Sequence, residues 1–307
     1  MTQPVPQRRP DAGTWLKAFR LRTLPLAVSS ILMGSFLAIR NGTYNWTVII
    51  MAVVTTTLLQ ILSNLANDYG DSQKGTDNIN RLGPLRTVQS GRITPLQMKK
   101  AIWLFAVLSL ASGLFMLYVA FRDEFWLAAF FLLIGMLAIW AAIKYTVGKG
   151  AYGYAGFGDL FVLLFFGFAG VVGTFFLNTK QLDGLVVLPA LSLGFLSMGV
   201  LNLNNTRDIE NDRRSGKQTV ASRLGYRGAK VYHVVLVAGA IATAILYAAI
   251  TFSSWLNFLF LIPSVLLLKD LFGISKEPEP AKLDPYLKKL AISTFLFTLF
   301  FGAGIQF

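Results

Sequence analysis

Apolar stretches of about 20 residues alternate with polar connections along almost the whole chain. Because a helix needs roughly 20 apolar residues to cross the hydrocarbon core of a bilayer, each stretch predicts one membrane-spanning helix. The pattern predicts nine of them, at about residues 16–38, 46–66, 98–120, 124–143, 157–177, 185–205, 230–250, 253–272 and 287–305. The expected fold is an all-α, polytopic membrane helical bundle around a central cavity.

Two of the polar connections are much longer than the others. They follow the second and the sixth apolar stretches and span about 30 and 25 residues. Long connections of unusual composition tend to carry function, and both of these contain acidic clusters. We therefore expect the polar chemistry of the protein to lie at the ends of spans two and six.

The composition agrees with a membrane protein. Of the 307 residues, 54% are hydrophobic and 14% are charged, whereas a soluble domain has about 25% charged residues. We expect residues 1–14 to form a flexible cytoplasmic N-terminus and residues 15–307 to form a single transmembrane domain. The chain has no cysteine and a single histidine, His233, which excludes disulfides, thiolate metal sites and clusters of histidine ligands.

The net charge of +13 would suggest a nucleic-acid partner in a soluble protein, but the positions of the charges give a different explanation. If the nine spans alternate in direction, only Arg40, Arg122 and Lys180 of the 28 basic residues fall on the side opposite the N-terminus. The positive-inside rule makes the basic side cytoplasmic. The sequence thus predicts a multi-pass protein of the cell inner (plasma) membrane, in contact with the lipid bilayer and with no nucleic-acid partner. Its N-terminus and the mouth of its cavity are expected to face the cytoplasm.

The first acidic cluster lies where the second span ends. Its sequence is NLANDYGDSQKGTDN, residues 64–78, and its polar members include Asn64, Asn67, Asp68, Asp71 and Asp77. On a continuing helix, Asp68 and Asp71 are three residues apart and share one face. Gly70 and Gly75 are expected to loosen the helix here, so that Asp77 comes from the following loop.

The second acidic cluster lies at the end of the sixth span. Its sequence is LNLNNTRDIENDRRSGKQT, residues 201–219, with Asn204, Asn205, Asp208, Glu210 and Asp212. Asp208 and Asp212 are four residues apart and share a helix face, whereas Glu210 points elsewhere. The two clusters therefore have similar spacing, with asparagines before the acids and cations after them.

Two such helix ends, facing each other across a cavity, bring together four or five carboxylates without a nearby histidine. Hard oxygen ligands of this kind suit Mg²⁺, which is usually held by one or two carboxylates and substrate phosphates. We predict Mg²⁺ as cofactor and a diphosphate as ligand. The predicted metal ligands are Asp68, Asp71, Asp77, Asp208 and Asp212, and all except Asp77 are also predicted as catalytic. For either cluster alone, solvated charges at a helix end explain the residues equally well.

The motifs NDYGD at 67–71 and RDIEND at 207–212, within nine predicted spans, resemble the UbiA superfamily of intramembrane prenyltransferases. Within it, the chain is most similar to the branch that acts on 1,4-dihydroxy-2-naphthoate in menaquinone biosynthesis. The resemblance begins at about residue 15 and extends over the rest of the chain. The stretches that carry it are RTLPLA at 22–27, NDYGDSQKGTDN at 67–78, RLGPLRTVQSG at 81–91, GFGDLFVLLFFG at 156–167 and NNTRDIENDRRSGKQTVASRLG at 204–225.

The resemblance implies an enzyme that transfers a polyprenyl group from polyprenyl diphosphate to 1,4-dihydroxy-2-naphthoate. Transfer in this branch depends on Mg²⁺ and is accompanied by decarboxylation, giving demethylmenaquinone. One position departs from the wider superfamily, whose first motif commonly has an aspartate where this chain has Gly75. The naphthoate branch tolerates the displaced Asp77, so the departure favours the branch. The displaced position favours Asp68 and Asp71 over Asp77 as direct ligands.

Further polar residues near the clusters are predicted to bind substrate. They are Asn64, Asn67, Arg22, Lys74, Arg81, Arg86, Lys149, Asn204 and Lys217. Lys217 is the best diphosphate candidate because it follows Asp212 by five residues in a glycine-containing loop. Arg22 is predicted to bind the substrate carboxylate at the start of the first span. Arg81 and Arg86 lie in a loop expected to cover the cavity. The positive-inside bias is an alternative explanation for these cations.

Two alternatives to this function remain open. The same transfer reaction on another aromatic acceptor, 4-hydroxybenzoate or homogentisate, uses the same diphosphate chemistry. A cation-coupled membrane transporter is also built from repeated halves, but its acids lie near the bilayer midplane. Here both clusters lie at one predicted surface, which argues against transport. A CDP-alcohol phosphotransferase is disfavoured because its acids form one contiguous segment.

Overall fold

The computed structural model describes residues 10–78 and 81–307, and this part of the chain is mostly helical and contains no strand. Residues 1–9, with Arg8, Arg9 and most of the predicted flexible terminus, lie outside the described residues. The first six helices are α1 (Ala12–Phe19), α2 (Leu24–Arg40), α3 (Trp46–Gln73), α4 (Pro95–Phe121), α5 (Phe125–Lys144) and α6 (Gly158–Val162). The others are α7 (Gly173–Thr179), α8 (Val187–Arg207), α9 (Ile209–Arg214), α10 (Val220–Ile250), α11 (Leu261–Lys276) and α12 (Asp284–Gly304). A π-helical segment, Leu163–Val172, joins α6 to α7.

Nine membrane-length helices, counted over the described residues, confirm the predicted all-α, polytopic bundle. α1 and α2 form the first, α6 to α7 form the fifth, and short 3₁₀ turns extend the sixth, eighth and ninth at their start. Pro263 does not interrupt the eighth, because it lies in the first turn of α11, where a backbone N–H has no intrahelical partner.

α3 is longer than its apolar stretch predicts. It continues through the polar residues to Gln73, and Gly70 does not loosen it. Gly70 is buried inside the helix, where a Cβ would collide with the side chain of Thr146. The helix ends before Gly75, whose φ of +70° is a conformation that glycine adopts readily. The end of α3 is therefore a rigid support for the first acidic cluster.

The second acidic cluster lies at a joint between two helices. α8 ends at Arg207, and Asp208, with φ −98° and ψ 14°, separates it from the short helix α9. The backbone N–H of Asp212 still donates to the carbonyl of Asp208, at 2.8 Å, so the two acids remain one turn apart. α10 then begins ten residues before the apolar stretch that predicted it, with a kink at Gly225.

Close helix contacts place α8 at the centre of the bundle, against α10, α12 and the π-helical segment. The side chain of Ser192 donates to the carbonyl of Ala240 at 2.8 Å, and Asn202 donates to Ala229 at 2.9 Å. Small residues allow this approach in a membrane, where apolar association alone provides little driving force. α5, in contrast, has Trp126 82% exposed at the bundle surface, as expected for a helix that contacts lipid.

Candidate active site

A cavity of about 1090 Å³ runs through the bundle from the end of α3 to Leu182, on the connection before α8. Its walls are mostly aliphatic and aromatic, and Leu114 and Phe130 line it while also being exposed at the bundle surface. Hydroxyl-bearing side chains such as Thr55, Ser109 and Thr174 occur along it, whereas its charged and carboxamide groups lie towards the end of α3. These groups, together with Tyr145, are Arg20, Arg22, Gln60, Asn67, Asp71, Arg86, Asn204 and Lys217. Such a cavity suits an amphiphile with a long apolar tail and a charged head.

Asp71 and Asp77 form the first half of this polar end. The Asp71 carboxylate accepts hydrogen bonds from Arg86, at 2.7 Å, and from the hydroxyl of Tyr154, at 2.8 Å. Asp77 lies 3.1 Å from Arg86 Nε and 3.5 Å from Arg81 Nε. One arginine thus connects both carboxylates, and Arg86 also lines the cavity.

Asp68 has a different environment from Asp71. Its carboxylate accepts hydrogen bonds from the backbone N–H of Thr87 at 3.1 Å, from the Thr87 hydroxyl at 2.5 Å and from the N–H of Val88 at 3.3 Å. It is 2% exposed and is not among the residues that line the cavity. The structure therefore shows Asp68 anchoring the loop 81–94 to α3.

Asp208 and Asp212 form the second half of the polar end. Arg207 donates to both oxygens of Asp208, at 3.2 and 2.6 Å, and Arg81 lies 3.6 Å from the same carboxylate. Although burial alone would disfavour the charged form, the hydrogen bonds and charge of Arg207 lower the pKa of Asp208. Lys217 lies 3.8 Å from Asp212 and lines the cavity.

Three contacts join the two halves, as the repeated spacing predicts. Arg81 pairs with Asp77 of the first cluster and Asp208 of the second. The amide of Asn211 donates to the carbonyl of Thr76 at 2.8 Å. The ring of Tyr154, which is hydrogen-bonded to Asp71 and Thr76, lies 5.7 Å from Lys217 Nζ. The acids at the ends of α3 and α8 thus belong to one site.

Several buried oxygens at this site have no hydrogen-bond donor among residues 10–78 and 81–307. They are both carboxylate oxygens of Asp77, Oδ2 of Asp212, and the amide oxygens of Asn205 and Asn211. Burial raises the pKa of Asp77 to about 6, and burial with the charges of Asp208 and Asp71 raises that of Asp212 to about 6. Buried oxygens without donors are costly, and a hard cation satisfies them.

The five predicted metal ligands do not form one ready-made cage. Within the described residues, no three acidic or histidine side chains are grouped closely enough to hold an ion. Arg81, Arg86 and Lys217 lie between the carboxylates and neutralise them. The arrangement instead fits a metal that is held by one or two carboxylates and completed by phosphate oxygens.

The other predicted substrate-binding residues divide into two groups. Asn67, Arg22, Asn204, Arg86 and Lys217 line the cavity, and Arg81 lies directly behind it. Asn64 does not line it, because its amide donates to the carbonyl of Phe19 and the hydroxyl of Thr23. Lys74 and Lys149 line a separate surface groove of about 510 Å³.

The pattern of apolar and acidic residues did not single out three groups at the site. Arg20 lines the cavity, and its Nη2 is buried without a hydrogen-bond acceptor anywhere in the described part of the chain. Its φ of +50° breaks the first predicted span into α1 and α2. Tyr154 and Asp284 both contact site residues. An Asp-Pro pair at a helix start was a usable signal for Asp284, whereas no sequence signal marks Arg20.

Comparison with known proteins identifies what this site is similar to. A family model described as the UbiA prenyltransferase family matches residues 27–301. A 1,4-dihydroxy-2-naphthoate octaprenyltransferase of Haemophilus influenzae is 43% identical over 294 residues, covering 95% of both chains. A protein of the same name from Escherichia coli is 43% identical and covers 95% of this chain and 94% of its own.

Solved structures share the fold. A UbiA homolog from Aeropyrum pernix superposes with a TM-score of 0.67 at 16% identity, covering 93% of this chain and 98% of that one. A UbiA homolog from Archaeoglobus fulgidus, solved with DMAPP and Mg²⁺, gives a TM-score of 0.59 at 15% identity, covering 95% and 99%. At these identities the likeness establishes the arrangement of helices.

Proposed function

The chain belongs to the UbiA prenyltransferase family, and from this premise we propose that it transfers a polyprenyl group from polyprenyl diphosphate to 1,4-dihydroxy-2-naphthoate. The observation that carries the proposal is the cavity, which joins two acidic helix ends to a long apolar channel. The curated relatives that are 43% identical over nearly the whole chain are named for this acceptor. The shape and polarity of the cavity and the names of the relatives both support prenyl transfer to this acceptor.

The proposed reaction makes one carbon–carbon bond and breaks two bonds. The allylic C–O bond breaks, and its electron pair leaves with the diphosphate. The electron-rich ring carbon bonds to the allylic carbon, and loss of the carboxyl group as CO₂ returns an electron pair to the ring. The immediate product is therefore the quinol form of demethylmenaquinone, and the reaction requires no oxidant.

We propose that Mg²⁺ is bound at the polar end by carboxylates of Asp71, Asp77 and Asp212, with no more than two of them on one ion and with diphosphate oxygens completing its coordination. Asp71 lines the cavity, whereas Asp77 and Asp212 lie behind the lining and carry oxygens that have no donor in the described residues. When bound, Mg²⁺ neutralises negative charge on the leaving diphosphate. Asp208 accepts hydrogen bonds from Arg207, and Asp68 accepts them from the loop 81–94. These two acids support the site without lining the cavity. The UbiA homolog solved with Mg²⁺ is consistent with this metal.

Cations at the polar end complete the proposed diphosphate site. Lys217 and Arg86 line the cavity beside the acids, and the charges of Asp212 and Asp71 overcome burial to raise the pKa of Lys217. Lys217 thus remains charged and is able to stabilise the negative charge that grows on the departing diphosphate. The aromatic cavity wall, which includes Phe165 and Phe168, shields the allylic cation from water and offers cation–π contact.

We propose that Arg20, rather than the predicted Arg22, binds the carboxylate of the aromatic acceptor. Both guanidinium groups line the cavity. Arg22 lies 3.7 Å from Asp284, which already offers it a carboxylate. Nη2 of Arg20 has no acceptor among the described side chains, so an incoming carboxylate supplies a missing partner.

The orientation follows from the charge bias. We propose that the site faces the cytoplasm in the cell inner membrane, with residues 1–14 as a cytoplasmic N-terminus and residues 15–307 as one transmembrane domain. Only Arg40, Arg122 and Lys180 of the 28 basic residues lie on the other side. Both acidic helix ends lie on the basic side. On the cytoplasmic side they are accessible to a water-soluble metal ion and to the diphosphate group.

A panel of acceptors tests the proposal. Purified protein in nanodiscs is given octaprenyl or shorter polyprenyl diphosphates, Mg²⁺ or EDTA, and 1,4-dihydroxy-2-naphthoate, 4-hydroxybenzoate or homogentisate. Mass spectrometry of products, with released CO₂ and diphosphate, is the readout. We expect Mg²⁺-dependent, decarboxylated product from the naphthoate. Product only from 4-hydroxybenzoate or homogentisate would overturn the acceptor, and ion flux without diphosphate release would indicate transport.

Two substitutions connect this activity to the site. Asp71→Asn and Asp212→Asn are expected to lower turnover at least about 100-fold at 1 mM Mg²⁺, because each removes a negative charge beside the proposed metal. Asp123→Asn removes an exposed acid from the connection between α4 and α5 and serves as the matched control. Near-normal activity of both site variants would remove the metal assignment.

A further inference from the structure

Asp284, the first residue of α12, has no part in the reaction proposed above. We infer that it is a positioning residue for the second acidic cluster, through which it sets the affinity of the site for a divalent cation. The inference rests on the proposed function, since it concerns the Mg²⁺ of that same site. Its contacts are with Arg207 and Arg22 and not with the cavity itself.

Arg207 is the link between Asp284 and Asp208. Its side chain is 0% exposed, and its guanidinium is hydrogen-bonded on every nitrogen. Nε and Nη2 donate to Asp208, Nη2 also donates to Asn204 at 3.0 Å, and Nη1 donates to Asp284. A buried guanidinium between two carboxylates is electrostatically shared by both.

The loop 81–94 closes over this arginine. A Cβ at Gly83 would collide with the guanidinium groups of Arg207 and Arg81, so no space for water remains on that side. The Arg207 side chain is fully buried and that of Asp284 is 31% exposed, so solvent screens this pair only in part. The charge of Asp284 therefore still acts on Arg207.

Asp208 needs this compensation because two guanidinium groups face it. Arg207 is 2.6 Å away and Arg81 is 3.6 Å away, and each opposes the approach of another cation. Asp284 offsets the charge of Arg207, so that Asp208 keeps the surroundings of the proposed metal site more negative. Without Asp284, the surroundings of Asp208 become more positive by one unit.

The position of Asp284 also fixes the side chains geometrically. The 3₁₀ turn Pro280–Leu283 packs against α8 through Leu283, which is 0% exposed, and leads directly into α12. The next turns of α12 place Leu287 and Ala291 in the cavity wall. Asp284 is therefore held where it can align the planar fork of Arg207 with Asp208.

Arg22 competes for the same carboxylate. Its Nη1 lies 3.7 Å from Asp284 Oδ2, and its side chain is 36% exposed. Removing the charge of Arg22 leaves Asp284 to Arg207 alone, which makes the surroundings of Asp208 less positive. The inference thus predicts opposite changes in metal affinity for substitutions at these two residues.

Binding of Mn²⁺ alone, followed by electron paramagnetic resonance on the full chain in nanodiscs, tests this inference. We expect Asp284→Asn to weaken Mn²⁺ binding about five- to ten-fold, as a unit charge change at this range does in a partly buried site. Asp284→Glu, which keeps the charge, is expected to stay within about twofold of the wild type, and Arg22→Gln is expected to tighten binding. Glu279→Gln, which breaks an exposed pair with Lys282, is the control for loop charge.

In activity assays, Asp284→Asn is expected to raise the Mg²⁺ concentration for half-maximal rate while the rate at saturating Mg²⁺ stays within about threefold. Equal loss in Asp284→Asn and Asp284→Glu would show that packing rather than charge is responsible, and would overturn the inference. Unchanged Mn²⁺ affinity in Asp284→Asn would do the same. If Asp284→Asn does not fold, weaker binding in Arg22→Gln overturns it instead.

A wild-type protein that binds no Mn²⁺ and needs no Mg²⁺ refutes the proposed function, and this inference with it, whatever Asp284 does.

Discussion

The Asp68 carboxylate is held by Thr87, which donates to it through both its backbone N–H, at 3.1 Å, and its hydroxyl, at 2.5 Å. Val88 N–H adds a third hydrogen bond at 3.3 Å. Three donors satisfy this buried carboxylate without a metal. Asp68 therefore fastens the loop that carries Arg81 and Arg86 onto the end of α3.

Asp68→Asn is expected to loosen the loop and to weaken metal binding less than substitution of a ligand does. The new amide group brings a donor where the wild type has an acceptor, and losing charged hydrogen bonds costs roughly 2–3 kcal/mol here. Hydrogen exchange at Thr87 and Val88 should become faster, and the KM for polyprenyl diphosphate should rise because Arg86 is displaced. The Mg²⁺ requirement should rise by less than about tenfold, as for the loss of a unit charge outside the ligand set. Unchanged exchange together with lost Mg²⁺ dependence would contradict this role.

Asp77→Asn is expected to weaken metal binding without lowering the stability of the metal-free protein. The Asp77 oxygens accept no hydrogen bond from residues 10–78 or 81–307, although Arg86 and Arg81 lie 3.1 and 3.5 Å away. Burial outweighs the charges of these two arginines and raises the pKa of Asp77 to about 6, so the metal-free protein favours a neutral group at this position. Unfolding in the absence of metal should occur at the same or a higher temperature. The Mg²⁺ concentration for half-maximal activity should rise at least about tenfold, since one ligand charge is lost. Thermal melts and Mg²⁺ titrations check both parts, with Asp68→Asn as the comparison, and a fall in stability without a change in Mg²⁺ requirement would reject the assignment.

Metal affinity should fall steeply below pH 6. Burial raises the pKa values of Asp77 and Asp212 to about 6, and each must lose its proton to bind metal. At pH 5 the protonated form of each carboxyl group is roughly tenfold more abundant than the ionised form. If both groups must be ionised, the metal affinity should be about 100-fold weaker than at pH 7.5. Mn²⁺ titrations from pH 5 to pH 7.5 measure this change, and a flat profile would contradict it.

The stability of the metal-free protein should depend on pH in the reverse direction. Both folded-state pKa values lie above the ordinary value of 3.8, so the folded protein binds protons that the unfolded chain does not. This contribution to the free energy of unfolding is complete below about pH 4 and is lost as the pH rises through about 6. In EDTA, the melting temperature of the wild type should therefore fall relative to that of Asp77→Asn as the pH rises from 5 to 7, and adding Mg²⁺ at pH 7 should reverse the loss.

The membrane spans were predictable because bilayer thickness sets the length of an apolar helix. Both ends of α5 lie within one residue of the predicted stretch 124–143. α3 was predicted too short because a helix that borders a polar site can continue through polar residues when neighbouring groups hydrogen-bond to their side chains. Tyr154, Arg86 and Thr87 supply hydrogen bonds to the acids of its last turns, and none of these contacts leaves a signal in local hydropathy.

The roles within the first acidic cluster were harder to predict. Residues three apart lie about 60° apart around a helix, so Asp68 and Asp71 share a side of α3 without having the same neighbours. Asp71 lines the cavity, and Asp68 accepts hydrogen bonds from the loop 81–94. The neighbours of each acid depend on how that loop folds back over the bundle. The family motif, whose last aspartate falls on Gly75 in this chain, favoured Asp68 over Asp77 as a ligand, whereas within residues 10–78 and 81–307 it is the Asp77 oxygens that have no donor.

Arg20 and Arg22 form a matched pair for locating the acceptor. Arg20→Gln is expected to raise the KM for 1,4-dihydroxy-2-naphthoate at least about tenfold, because it removes a charge-assisted hydrogen bond to the carboxylate. The KM for polyprenyl diphosphate should stay within about threefold. Arg22→Gln should change the KM for the naphthoate less than about threefold, since Arg22 already pairs with Asp284.

An acceptor without the carboxylate separates this role from packing. With 1,4-dihydroxynaphthalene, wild type and Arg20→Gln should have KM values within about twofold of each other, since this acceptor has no carboxylate that Arg20 could bind. Arg20→Lys keeps the charge but lacks the planar fork, so it should recover part of the affinity for the naphthoate. If instead Arg22→Gln raises the KM for the naphthoate and Arg20→Gln does not, the carboxylate is bound by Arg22, and the break between α1 and α2 serves only to turn the chain into the first span.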